Sequence, residues 1–393
     1  MTAAFDRVRL GDVARIRHGF AFEGAYFVDR PTKYVLLTPG NFHVGGGFKS
    51  DKLKFYDGPV PAEYMLSPGA LVVTMTDLSK NMDTLGYPAL VPELPDGRIA
   101  LHNQRIGLVE VTSSSVDKYW LFYRLRGADY RSEVLASSSG TTVHHTSPSR
   151  IERFEFVLPP LEEQRAIAAT LGALDDKIES NRRTIALIPQ LVRARVDASL
   201  SQASDRIAVA ELARFVNGGA YTKGATGTGR MVIRIAELNS GPGGSTVYND
   251  IDVPDEKVAR AGDILMSWSG SLGVYRWFRD EAIVNQHIFK VIPTGYPAWL
   301  VFDRLDAVMP IFRGVAADKA TTMGHIQRGH LESTNVEIPV VSEIEQLNEM
   351  LSPLWGRLLS AEREVVRLTK LRDALLPELL SGRMRVPAEG VAA

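Results

Sequence analysis

Between residues 167 and 192 the apolar positions fall at Ile167, Leu171, Leu174, Ile178, Ile185, Ile188 and Val192, with a polar residue, Asn181, completing the series. Steps that alternate between four and three residues make a heptad seam, which predicts a long helix with a helical partner. The same steps return in Leu347, Leu351, Leu354, Leu358, Ala361, Val365 and Leu368. A single seam of this kind would also suit an ordinary core helix; two in one chain favour helices that pair with each other. Each helix is expected to span ~30 residues, ~45 Å at 1.5 Å per residue, similar to one to two DNA turns of ~34–36 Å. A lone polar seam residue such as Asn181 often fixes register. Pro189 is expected to kink or end the first helix near Ile188, and Ser199–Ser204 reads as a polar linker.

Elsewhere the pattern shortens to runs of β-branched and aromatic residues bounded by Gly, Pro or Asp, the signature of strands. They predict strands at Tyr34–Leu37, Leu71–Met75, Ile106–Val111 and Phe154–Leu158, with a helix near Asp117–Arg126. The second half predicts strands at Met231–Ile235, Ile264–Ser267, Ile288–Ile292 and Val336–Pro339. The halves also share motifs. Leu10-Gly11-Asp12-Val13-Ala14 answers Val209-Ala210-Glu211-Leu212-Ala213, and Asn103-Gln104-Arg105-Ile106 answers Asn285-Gln286-His287-Ile288. Thr141-Thr142 followed by His144-His145 answers Thr321-Thr322 followed by His325. The expected fold is therefore α/β (α+β), with two sheet-rich domains related by an internal repeat and separated by two long helices. The expected boundaries are 1–158, a helix in 159–204, a second domain in 205–340, a helix in 341–386 and a tail at 387–393. An internal two-fold repeat suits a target or partner that is itself two-fold.

Composition narrows the function classes. The chain of 393 residues has no cysteine, which excludes disulfides and thiolate metal sites. No apolar stretch approaches the ~20 residues of a membrane helix, and the start lacks an apolar signal core; a cytoplasmic protein is expected. Residues 1–158 carry 18 Lys+Arg against 17 Asp+Glu, and residues 205–340 carry 14 against 15, so any basic face has to be assembled by folding.

Pro159-Pro160-Leu161-Glu162-Glu163-Gln164-Arg165-Ala166-Ile167, followed by Leu174-Asp175-Asp176-Lys177-Ile178, resembles the central conserved region of the specificity subunit of type I restriction–modification systems. Leu371-Arg372-Asp373-Ala374-Leu375-Leu376-Pro377-Glu378-Leu379-Leu380-Ser381-Gly382 resembles that family's C-terminal conserved region. The second Pro-acidic-Gln segment, Ile338-Pro339-Val340-Val341-Ser342-Glu343-Ile344-Glu345-Gln346, departs by being two residues longer and lacking the second proline. The resemblance implies a DNA-recognition subunit with no chemistry of its own. Each sheet-rich domain would read one half of a split, asymmetric site on double-stranded DNA. The helices would pack as an antiparallel coiled coil that sets the gap and docks two methyltransferase subunits, to which restriction and translocase subunits add. Ile167, Leu171, Leu174, Ile178, Ile185, Leu351, Leu354, Leu358, Val365 and Leu368 would make the helix pair. S-adenosylmethionine, ATP and magnesium would belong to the partner subunits. The alternatives are a coiled-coil scaffold, or a recognition subunit of a related phage-defence system with a different effector.

The motifs of a self-sufficient enzyme are missing from the sequence. Leu158-Pro159-Pro160-Leu161 lacks the polar and aromatic ends of an adenine-methyltransferase motif. Gly224–Gly229 lacks the flanking strand and helix of a dinucleotide loop. Pro254-Asp255-Glu256-Lys257 reads as a solvated turn, and His144-His145 has no partner motif for a metal. Base edges are read by Arg, Lys, Asn and Gln, and phosphates by Lys, Arg, Ser and Thr. Polar loops offering such donors contain Thr76, Ser79, Lys80 and Asn81, then Ser138, Thr141, Thr142 and His144. In the second half they contain Tyr221 and Lys223, then Ser267, Trp268 and Ser269, then Lys319, Thr321 and Thr322. Asn103-Gln104 and Asn285-Gln286 recur in both halves, which argues for a framework role.

Overall fold

The computed structural model describes residues 6–140, 142–318 and 324–386. The chain divides into two units, Met1–Asp175 with Lys370–Ala393, and Asp176–Thr369.

In the first unit, β1 (Ala14–His18), β2 (Leu71–Thr74), β3 (Pro88–Leu90) and β4 (Ile106–Val111) form an antiparallel sheet in the order β1-β4-β2-β3. All of β2 is buried because the sheet is covered on both faces. Leu71 and Val73 point into a helical core with Trp120, Phe154 and Leu171. Val72, between them, points the opposite way toward Val35, Phe42 and Ile106. That alternation makes the strand read as a continuous apolar run. The second face carries a five-stranded sheet with one parallel pair, Tyr34–Leu36 against Ile99–Leu101.

The helices of this unit include α1 (Lys118–Arg124), α2 (Ala128–Ala136) and the first part of α3 (Leu161–Leu200). Asp117 caps α1, its carboxylate accepting the Trp120 N–H at 2.9 Å. Gln164 is fully buried and ties α3 to that cap. Its side-chain oxygen accepts the Asp117 N–H, and its amide nitrogen donates to the Ser115 and Pro159 carbonyls, each at 2.8 Å. The Pro-Pro-Leu-Glu-Glu-Gln segment is thus a strand-to-helix turn whose glutamine joins three segments.

The second unit repeats the plan. β5 (Ala213–Asn217), β6 (Ile264–Ser267), β7 (Gly273–Arg276) and β8 (Ile288–Pro293) form an antiparallel sheet in the order β5-β8-β6-β7. The neighbouring sheet again holds one parallel pair, Met231–Ile233 against Ala282–Val284. In both units an antiparallel ladder closes the domain, Arg7–Arg9 on Glu155–Val157 and Ser204–Ala208 on Asn335–Pro339. Where the first unit has the short α1 and α2, the second has one 21-residue helix, α4 (Ala298–Asp318). The sequence reading passed over α4, although Val301, Leu305, Val308, Phe312 and Ala316 are buried at helical spacing.

The last helix, α5 (Val341–Leu380), is 40 residues long, as is α3. Within the second unit the two run antiparallel: Asn181 donates to Glu364 at 2.8 Å, while Ser199, further along α3, reaches Glu343, earlier in α5. Ile178, Asn181, Leu351, Leu358 and Ala361 are buried along this seam, and Leu174, Leu354 and Val365 are half-buried. Ile185 and Leu354 pack against the second core. Within the first unit Ile167 and Leu171 of α3 share a core with Leu379 of α5.

Three local expectations change. Pro189 does not end α3, which runs on to Leu200. An internal proline costs about 3 kcal/mol, and burying Val192 and Val196 beyond it offsets that cost at roughly 1.5–3 kcal/mol per side chain. The helix takes in Ser199 and Leu200, so the linker shrinks to Ser201–Ala203. The second acidic motif also shifts. Equivalent strand ends place α3 from Leu161 and α5 from Val341, so Gln164 corresponds to buried Ile344 and Gln346 lies exposed.

Candidate nucleic-acid interface

In the first unit β1 and β2 end, and β4 begins, at one edge of the main sheet: His18 pairs with Gly107 and Thr74 with Ile106. Four segments therefore meet beyond that edge: the turn after His18, the loop after Thr74, the residues before Ile106, and the Thr142–Thr146 segment. A side chain at Gly19 would put its Cβ 2.0 Å from the Asn103 carbonyl oxygen, so glycine alone allows this approach. Phe20 N–H donates to the His102 carbonyl and Gln104 N–H to the Phe20 carbonyl, both at 2.9 Å. Buried His102 braces the corner through Nε2 and the Ile106 carbonyl at 2.9 Å. Burial pulls its pKa down to about 4, so the ring is neutral at physiological pH. Asn103 is buried too, whereas Gln104 and Arg105 stand exposed.

The loop after β2 is organised by Asp77, whose carboxylate accepts the Ser79 N–H at 2.6 Å, the Thr84 N–H at 2.5 Å and the Thr84 hydroxyl at 2.7 Å. Burial acts to raise its pKa, but these bonds outweigh burial and hold it below the usual carboxylate range. Thr76–Asp77 pairs with His144–His145, and Thr76 Oγ1 lies 3.1 Å from His145 Nδ1. Gln104 and Arg105 open onto a cleft of about 1050 Å³ that also holds Lys49, Lys52, Lys54, Val44 and Leu78.

The second unit builds the same corner. A Cβ at Gly218 would meet the Asn285 carbonyl oxygen at 2.1 Å. Trp268 N–H donates to the His287 carbonyl as Met75 N–H does to Arg105, and Ile326 N–H donates to Trp268 as Thr146 N–H does to Met75. These bonds make Gln286-His287 the counterpart of Gln104-Arg105, Ser269 that of Thr76, and His325 that of His145. The side chains on the shared frame differ. Ser269 Oγ lies 2.9 Å from His287 Nδ1, and Trp268 Nε1 donates to Asn217 at 2.9 Å with its ring beside His287 and His325.

Of the residues singled out in the sequence, Lys80, Asn81, Thr142 and Lys223 are exposed, and Ser79, Ser138, His144, Tyr221 and Trp268 half-exposed. Thr76, Ser267 and Ser269 are buried. Ser267 Oγ donates to the Ser271 carbonyl and accepts the Gly273 N–H, closing a turn. Ser138 Oγ donates to the Leu135 carbonyl at the end of α2. Ser79 Oγ accepts the Asp83 N–H inside its own loop. Thr141, Lys319, Thr321 and Thr322 lie outside the described residues. The sheet edge of the first unit sets Thr76 against His145, with His144 opposite Asp77; in the second unit Trp268 and Ser269 are adjacent, and Tyr221 and Lys223 follow the turn after β5. Sequence reasoning set aside Asn103-Gln104 and Asn285-Gln286 as framework; in each pair the asparagine is buried and the glutamine exposed.

The profile of the type I restriction modification DNA specificity domain matches residues 69–190. The chain is 22% identical to the EcoBI specificity subunit of Escherichia coli, over 96% of this chain and 86% of that one. It is 22% identical to the MjaIX specificity subunit of Methanocaldococcus jannaschii, over 87% of this chain and 91% of that one. Its fold resembles that of the type I restriction–modification S subunit from M. genitalium, with a TM-score of 0.65, 14% identity and 97% of both chains covered. With the profile match over residues 69–190, relatives aligned along nearly the whole chain and the duplicated sheet-and-helix plan, the chain is similar to the specificity subunits of type I restriction–modification systems.

Proposed function

We propose that this chain is a specificity subunit, a DNA-recognition component and not the catalytic one, which reads a split asymmetric sequence, one half through each sheet-edge corner. The observation that carries this reading is the pair of corners built on one backbone frame with unlike side chains: Arg105 against His287, Met75 against Trp268. A shared frame with different donors is what two readers of different half-sites require. The lysines of the first cleft supply phosphate contacts that the evenly spread sequence charge does not advertise. The paired helices dock two methyltransferase subunits and hold the gap between half-sites; restriction and translocase subunits add to that assembly. S-adenosylmethionine, ATP and magnesium act in those partners. Among the described residues no helix is long and apolar enough to cross a membrane, which accords with an intracellular DNA target.

The test is a methylome. The chain is co-expressed with its methyltransferase subunit in a host lacking the modification, and modified bases are mapped by single-molecule sequencing. A bipartite motif that disappears when this chain is omitted supports the reading. A soluble complex that methylates nothing, or methylates without sequence limits, overturns it.

A further inference from the structure

We infer that Gln104-Arg105 and Gln286 are the base-reading positions of the two units. Arg105 takes a guanine and each glutamine an adenine, while His287, whose Nε2 accepts from the Gln286 amide, positions Gln286. The inference rests on the DNA-reading function and assigns it to particular side chains.

The argument is one of contrast within a single motif. The asparagine of each Asn-Gln pair is buried beneath a glycine that tolerates no side chain, and the glutamine next to it is exposed. A framework role explains the asparagine. It gives no reason for a polar residue to recur, unpacked, at the outward position beside it. A corner fixed by close backbone contact on both sides presents its side chains from a rigid base, as direct readout needs. The chemistry also fits: Gln forms two hydrogen bonds with adenine N6 and N7, and Arg two with guanine O6 and N7. In the second unit Ser269 sets the ring of His287, and the Gln286 amide nitrogen lies 3.2 Å from His287 Nε2, so this pair sits together at the equivalent place. The residue that differs between the corners, Arg105 against His287, then makes the half-sites unequal. By the same logic the lysines of the cleft are phosphate contacts: mutating them weakens all sequences alike.

The experiment uses the complex with the methyltransferase subunit. Gln104→Ala, Arg105→Ala, Gln286→Ala and His287→Ala are mapped by methylome, with Lys52→Ala as the backbone-contact comparison. Each of the first pair is expected to relax one base position in one half-site, and both of the second pair the position that Gln286 reads in the other half. The expected loss of discrimination is about ten- to hundred-fold at that position, with the rest of the motif intact. A variant whose methylation disappears altogether is purified as a complex and titrated against duplexes carrying single-base substitutions. Loss of discrimination at one position supports the assignment; uniform weakening over all duplexes, as expected for Lys52→Ala, overturns it. If the wild-type complex yields a bipartite motif that all four variants leave unchanged, the assignment fails while the function stands. If the wild type yields no motif, the functional reading itself fails.

Discussion

Gly19 and Gly218 are the positions where one atom decides the local structure. The backbone of each lies against the carbonyl of the matching asparagine, with no room for a methyl group and no loop end that could swing aside. Gly19→Ala is expected to cost about 3 kcal/mol through overpacking, whereas Gly24→Ala, which meets open space, should stay within about 0.5 kcal/mol of wild type. Denaturant titration checks this, and equal midpoints for the two variants would remove the claim. A second residue with outsized leverage is Asp175, which accepts from Tyr123 at 3.0 Å, Arg126 at 2.9 Å and Arg372 at 2.8 Å. Burial acts to raise its pKa, but Arg126 and then Arg372 outweigh burial and hold the carboxyl below its ordinary value. A depressed carboxyl contributes stability that is present above the unfolded-state pKa and lost as pH falls through the folded one. Asp175→Asn should therefore cost about 2–4 kcal/mol near neutrality, since it leaves the buried Arg126 and half-buried Arg372 guanidinium groups short of their partner. The gap to wild type should stay flat down to about pH 5 and close below about pH 4. Stability curves that remain parallel through that window would show that the charge of Asp175 is not what matters.

At the scale of elements, what the sequence revealed depended on the pattern each element leaves in it. Ile106–Val111 and Ile264–Ser267 are strands at the expected bounds, because a short β-branched run between turn residues has one ready reading. The seams of α3 and α5 were legible because each buries a narrow stripe. α4 was passed over because Pro310 within it reads as a breaker, although its buried positions also fall at helical spacing. Gln164 was visible as part of a motif, but its two hydrogen bonds to the distant segment at Ser115 and Asp117 were not. The sheet-edge corners were half legible: recurrence marked them, but only burial separates the inward asparagine from the outward glutamine. Asn181 was the seam's polar exception, and its environment gives it a cost. Its amide nitrogen bonds Glu364, while its buried oxygen has no hydrogen-bond partner. A half-satisfied polar group in an apolar seam fixes register at the expense of stability. Asn181→Leu is expected to raise the unfolding free energy by about 1 kcal/mol; a drop in the melting temperature would mean that the Asn181–Glu364 bond is net stabilising.

For the whole molecule, duplication predicts which parts can be exchanged. Each unit carries its own pair of sheets, its own closing ladder and its own corner, as the proposed division of specificity requires. The cores are not divided at the same places. Trp120, Phe156 and Val116 of the first sheet-rich domain bury themselves against Ile167 and Leu171 of α3 and Leu379 of α5. The helix segments are therefore part of the hydrophobic core as well as a connection. Replacing residues 1–158 by the corresponding domain of another specificity subunit should succeed only when the donor keeps residues of similar volume at those three positions, because a mismatched core loses about 2–5 kcal/mol per truncated large side chain. Where the exchange gives a soluble complex, the methylome should show one half-site replaced and the other half, read through Gln286 and His287, unchanged. A chimera that alters both halves would mean that the corners are coupled and that neither unit reads alone.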